Sequence, residues 1–185
     1  MTTAPSAEFQ LAFLQKIQRM LDEGQFVATY KFALLHSLAD LAVLNGDEHG
    51  GELRLSTKEI AERFIELYWR QATPYPGGEE LAVLHQNTGR QAAVVNRIHQ
   101  ARLDHGDSLF GLKREQSEWK RLVGTVERTL KEQPLWRLQT IGRESLDFLY
   151  PDEGQGSEIT LRPGVSYCLR MFYGLVTGLC SSGWV

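Results

Sequence analysis

Much of what would announce an enzyme is missing. The chain holds 2 cysteines, Cys168 and Cys180, both in one apolar C-terminal stretch. That excludes a disulfide framework and makes a reducing, cytoplasmic setting the simpler expectation. The five histidines, at 36, 49, 85, 99 and 105, show no metal-ligand spacing with one another or with cysteine. No G-x-x-x-x-G-K or G-x-G-x-x-G loop is present to cradle phosphates, and no G-x-S-x-G turn to raise a serine nucleophile. Internal repeats and low-complexity tracts are lacking too. Met1 to Ala7 has neither the basic start nor the apolar core of a signal peptide.

What is there is an ordinary globular composition. The chain has 185 residues, 42% of them hydrophobic, with 20 Lys+Arg against 23 Asp+Glu and a net charge of −3. That length suits one domain. The negative sum argues against a polyanion partner only until it is divided by segment. Residues 1–87 carry 7 basic and 12 acidic side chains, residues 88–131 carry 9 and 5, and residues 132–185 carry 4 and 6. The middle is therefore net +4. Within it, Leu81 to Leu103 contains no acid, but does contain Arg90, Arg97, Arg102 and five side-chain amides. Cations of this kind neutralise phosphates, and Asn, Gln and Arg heads bond base edges. The plainer alternative is a solvated helix face that happens to lack acids.

Hydrophobic spacing predicts a mainly α fold. Phe9, Phe13, Ile17 and Leu21, with Met20, mark a first helix that ends at Gly24. A second, from about Phe26 to Asn45, is apolar over a wide face and is expected at the centre of the core. Its narrow polar stripe is Thr29, His36 and Asp40, with His36 and Asp40 an ordinary i,i+4 pair. Ser56-Thr57-Lys58-Glu59 has the form of a capping box and opens a helix to about Gln71. Pro74 to Gly78 breaks the chain, giving a loop at 72–80 inside one domain, 1–185. Further helices are expected over Gly89–Asp104 and Arg114–Glu132. Leu135–Thr140, Glu144–Tyr150 and Glu158–Leu161 follow as short β candidates, making a small antiparallel hairpin or meander near 135–161. A last helix covers Val165–Leu179. Its apolar run is long enough to span a bilayer, but Arg170 near its middle favours a buried helix and no membrane.

Individual residues sharpen the functional reading. On the helix from Gly89, the residues Val94, Val95, Ile98 and Ala101 point inward, while Arg90, Asn96, Arg97 and Gln100 cluster elsewhere. With Arg102 they make the candidate nucleic-acid surface: Arg90, Arg97 and Arg102 for phosphates, Asn96 and Gln100 for bases. Lys31 and Trp69 each fall on an unexpected side of their helix, Lys31 among leucines and Trp69 among Lys58, Glu62 and Glu66. Both are candidate surface residues, although a snorkelling lysine and a tryptophan packed under the Pro74 loop are the plainer readings. Asp152 followed by Glu158-Ile159-Thr160 imitates a PD…(D/E)-x-K nuclease pattern, but Thr160 occupies the lysine position.

Several strings also resemble a known family. These are Phe13-Leu-Gln-Lys-Ile-Gln18, Phe26 to Leu35, Leu55 to Glu62, Glu66-Leu-Tyr-Trp-Arg70, Pro134 to Leu138, Leu146 to Tyr150 and Leu161 to Val165. Together they are similar to the N-terminal region of a group of bacterial HNH endonuclease proteins. The resemblance implies a downstream HNH module with a general-base histidine and a divalent metal. None of its catalytic or metal residues can be matched in this chain, so no catalytic residue and no cofactor are assigned here. The abrupt apolar end, Gly183-Trp-Val185, fits a chain that continues into such a module. The expected function is thus a DNA-engaging or positioning region of an HNH-type endonuclease, with DNA and the C-terminal module as partners. One alternative is a winged-helix regulator, with Leu55-Ser-Thr opening the helix-turn-helix and a wing near Leu146. Another is an assembly module that makes no nucleic-acid contact.

Overall fold

The computed structural model describes residues 4–23, 29–71, 90–132, 134–152 and 156–183, with the backbone alone at 29, 71 and 90–93. The loop expected at 72–80 and the helix end expected at Gly24 lie outside these residues. The described part is mainly helical with small antiparallel β pairings, as the apolar spacing implies.

Helix α1 (Ala7–Asp22) starts where Ser6 Oγ accepts a hydrogen bond from the Phe9 amide at 3.2 Å. Its Phe13, Ile17 and Met20 are buried. Helix α2 (Thr29–Asn45) is the centre of the core, with Ala33, Leu34, Leu35, Leu38, Ala39 and Ala42 fully enclosed. Truncating a leucine such as Leu38 there would cost about 2–5 kcal/mol in lost transfer energy and cavity. Strand β1 (Leu53–Ser56) leads into helix α3 (Thr57–Gln71), and the capping box forms at their junction. Ser56 Oγ accepts from the Lys58 amide at 3.2 Å, and the Glu59 carboxylate accepts from the Ser56 amide at 3.3 Å.

Helix α4 (Arg90–Asp104) is followed by a tight turn, a short helix α5 (Leu109–Arg114) and the long helix α6 (Gln116–Glu132). The helix expected over Arg114–Glu132 is α6, and the short α5 ahead of it is an addition to that expectation. Pro134 then opens a further helical turn, α7 (Pro134–Arg137), where an extended segment was expected. Proline at a first helical position is preset for that turn and gives up no needed donor. Strands β2 (Thr140–Ile141) and β3 (Glu144–Ser145) make a minimal hairpin. Strand β4 (Glu158–Leu161) does not extend it. It pairs antiparallel with β1, Leu55 opposite Ile159 and Leu53 opposite Leu161.

The last helical segment is divided at Phe172 into α8 (Val165–Met171) and α9 (Tyr173–Gly183), and both pack on α2. Gly164 sets the entry to α8. Its φ is +85°, its amide donates to the Gly50 carbonyl at 2.7 Å, and a Cβ there would meet the Phe9 ring at 2.7 Å. Glycine alone meets both demands. Among the described residues no helix is long and apolar enough to cross a membrane.

Candidate functional site

Helix α4 has the two-sided character its sequence implies. Val94 and Ile98 are buried, and Asn96, Arg97 and Gln100 are exposed. Gln100 Nε2 donates to the Asp104 carboxylate at 2.8 Å, so that amide is already engaged. Arg97 makes no ion pair among the described residues. Arg90 is the first residue of α4, and its side chain lies outside the described residues.

Arg102 does not join this surface. It is only 5% exposed, and its Nε lies 2.8 Å from Asp107 Oδ1. The approach is an ionic contact rather than an aligned hydrogen bond, and Nη1 is buried without a hydrogen-bond partner. The cause is spacing: Arg102 stands four residues beyond Ile98 and eight beyond Val94, so it continues the buried stripe. It is thereby removed from the phosphate-contacting set.

Trp69 and Lys31 are likewise interior. Trp69 is buried, and its indole Nε1 donates to the Asp107 carbonyl at 3.1 Å. Asp107 sits in a left-handed turn conformation, and its amide in turn donates to the Arg102 carbonyl at 3.0 Å. Trp69, Arg102 and Asp107 therefore tie the α4–α5 turn to α3. Lys31 is buried to 3% exposure, with Nζ 3.5 Å from the Thr140 carbonyl, and burial holds its pKa below the ordinary lysine value. Neither residue presents a binding surface.

Beside the exposed face of α4 lies a shallow cleft of about 90 Å³, floored by Leu112 and Leu122. Arg97, Asp104, Glu118 and Arg121 stand around it. Arg121 is engaged by Glu118, so the cleft mixes paired charges with the uncommitted cation of Arg97.

A second constellation was not anticipated as such. Asp40, on the narrow polar stripe of α2, is only 4% exposed. One of its oxygens accepts from Arg63 Nε at 2.6 Å, and the other accepts from the Tyr173 hydroxyl at 2.6 Å. Arg63 also donates to Glu66, which accepts from Lys113 as well. His36 Nε2 stands 3.7 Å from Asp40, too far for a hydrogen bond, and its ring meets Tyr173 edge-on. Burial lowers the His36 pKa, the Asp40 charge opposes this, and Arg63 and Arg70 reinforce it. Burial would raise the Glu66 pKa, but the bonds from Lys113 and Arg63 overcome it and hold the carboxyl low. The bond to Asp40 and then burial push Tyr173 up to about 12. Both Asp40 oxygens accept a hydrogen bond, and the network joins α2, α3, α5 and α9. Among the described residues no group of three or more His, Cys, Asp or Glu side chains is placed to hold a metal.

The model of a family described as a domain of unknown function (DUF8808) matches residues 10–145. No curated protein and no solved structure matches the chain.

Proposed function

The chain belongs to the DUF8808 domain family, and from the surface of α4, which lies within the matched residues, we infer that this face engages nucleic acid. The observation that carries this reading is the placement of Asn96, Arg97 and Gln100 together at the surface, with Arg97 free of ion pairs among the described residues. The acid-free run that holds them, Leu81 to Leu103, leaves no carboxylate to compete for Arg97 within α4 before Asp104. Arg97 is the phosphate contact and Asn96 the side chain available to a base edge, with Gln100 reaching one only by releasing Asp104. Service as the positioning region of an HNH-type endonuclease, with metal-dependent chemistry in a separate module, is part of the same proposal and rests on sequence resemblance alone.

The test is duplex binding by the full chain, followed by fluorescence anisotropy over a salt series. Binding at low salt that weakens as salt rises is expected, with no cleavage. Arg97→Glu should weaken binding at every sequence tested and reduce the salt slope by about 1. Absence of binding at low salt, or an unaltered affinity in Arg97→Glu, would overturn the reading.

An assembly module is the second reading, favoured by the paired charges lining the cleft. It is the one left standing if the full chain shows no duplex binding at low salt. The winged-helix alternative draws less support, because the hairpin offered as its wing has strands of two residues each.

A further inference from the structure

Helix α6 turns a row of cations away from the core. Its Leu122, Val123, Val126 and Leu130 are buried, while Lys120, Arg121 and Arg128 are exposed. Arg121 and Arg128 are seven residues apart, two helical turns and about 10 Å, so they project the same way. Lys120 flanks them. The acids of α6 do not neutralise this row. Glu118 bonds Arg121, and a Glu127 oxygen accepts from Thr57 Oγ1 at 2.6 Å. Neither Lys120 nor Arg128 has an ion-pair partner among the described residues.

The row adjoins the face of α4. Arg97 of α4 and Arg121 of α6 line the same shallow cleft, so the cations of the two helices form one surface. The whole chain carries a net charge of −3, so this gathering of cations is local and not the chain's general balance.

What stands between the cations decides what the row can read. On the outward side between Arg121 and Arg128 lie Gly124 and Thr125. A Cβ at Gly124 would meet nothing within 4 Å, and Thr125 Oγ1 donates to the Arg121 carbonyl at 2.9 Å. That stretch therefore offers charge at close range, with no amide and no uncommitted hydroxyl to recognise a base edge.

We propose that the α6 row is a sequence-independent phosphate contact, along which the nucleic-acid backbone lies when the α4 face meets its bases. The partner is the one inferred for α4, and the assignment rests on that reading. Phosphates of one strand recur about every 3.4 Å along a B-form axis, so the row from Arg121 to Arg128 runs beside about three of them. Backbone contacts fix orientation while base edges carry sequence. The labour is thus divided: Lys120 and Arg128 supply affinity, and Asn96 on α4 supplies selection.

Duplex binding by the full chain, measured by anisotropy on two unrelated sequences over a salt series, tests this with two variants beside Arg97→Glu. The double variant Lys120→Ala/Arg128→Ala removes two phosphate contacts. It should weaken binding to both duplexes by the same factor, about tenfold, and reduce the salt slope by about 2. Gly124→Glu sets a carboxylate into the row. The fold has room for it, and glutamate is the better helix former, so this variant should melt no lower than wild type and still bind about tenfold more weakly. If Arg97→Glu weakens binding while both row variants bind as wild type, the row is overturned and the α4 reading stands. If the row variants weaken binding and Arg97→Glu does not, the row stands and the α4 reading falls. Losses in the double variant that differ between the two sequences also overturn the row. A wild-type chain that binds no duplex, or that binds phosphatidylserine vesicles in place of duplex, overturns both.

Discussion

Replacing Asp40 with alanine puts the buried network to its hardest test. The substitution removes the acceptor of two hydrogen bonds, from Arg63 at 2.6 Å and from Tyr173 at 2.6 Å, at a site 4% exposed. Breaking a buried ion pair by deleting one partner costs about 3–5 kcal/mol, because the surviving charge is stranded. Two facts reduce that here. Arg63 is one-quarter exposed, and it keeps Glu66 as a second partner. The expected loss is therefore about 2–3 kcal/mol. Asp40→Asn retains an acceptor for Tyr173 and loses only the charge, so about 1–2 kcal/mol is expected. Urea unfolding followed by circular dichroism at neutral pH measures both. A double-mutant cycle with Tyr173→Phe isolates their coupling, expected at about 1 kcal/mol. A loss under about 1 kcal/mol in Asp40→Ala, or strict additivity with Tyr173→Phe, would refute the account of this network as a structural joint.

Stability should fall as pH drops below about 6.5, the ordinary histidine value. The folded state holds His36 below that value, so the unfolded state binds the proton first and folding loses ground until the folded His36 also titrates. A second loss begins below about 4.5, where unfolded Glu66 protonates before its low-held folded counterpart. His36→Gln should remove the first loss and keep the second in a pH series of urea midpoints. Cys180 is buried with its thiol pushed up to about 12, so a disulfide reagent at pH 8 should react many times faster in urea than with the native chain. A fragment ending at residue 145 contains the whole family-matched span but lacks β4, α8 and α9. It should show helix signal without a cooperative urea transition, and a transition matching the full chain would show that those elements are dispensable.

Local chemistry was readable where a residue's neighbours in sequence are also its neighbours in space. The capping box at Ser56–Glu59 and the central position of α2 are of that kind. So are the exposed positions of Asn96, Arg97 and Gln100 opposite Val94 and Ile98. Arg102 was open to the same logic. Its spacing from Val94 and Ile98 outweighs its charge once the helix is drawn, and only its membership of a basic run suggested the surface. Asp40 was not legible, because its partners Arg63 and Tyr173 lie 23 and 133 residues away and no local pattern identifies them. The pairing of β1 with β4 was hidden for the same reason. Alternation at Leu53 and Leu55 marks a strand but names no partner. Trp69 reads as surface on a helical wheel, and it is the turn at Asp107 that makes it interior.

The distance from α2 to its last cover has a consequence for how the chain is made. At about 5–20 residues per second, some 7–28 s of synthesis separate Asn45, the end of α2, from Gly183, the end of α9. Through that interval α2 packs on α3 and α7 but the side that α8 and α9 cover stays open, and β1 lacks its partner β4 until Leu161 is made. The side of α2 that faces α8 and α9 is therefore apolar surface that stays open until the last of these helices has been made.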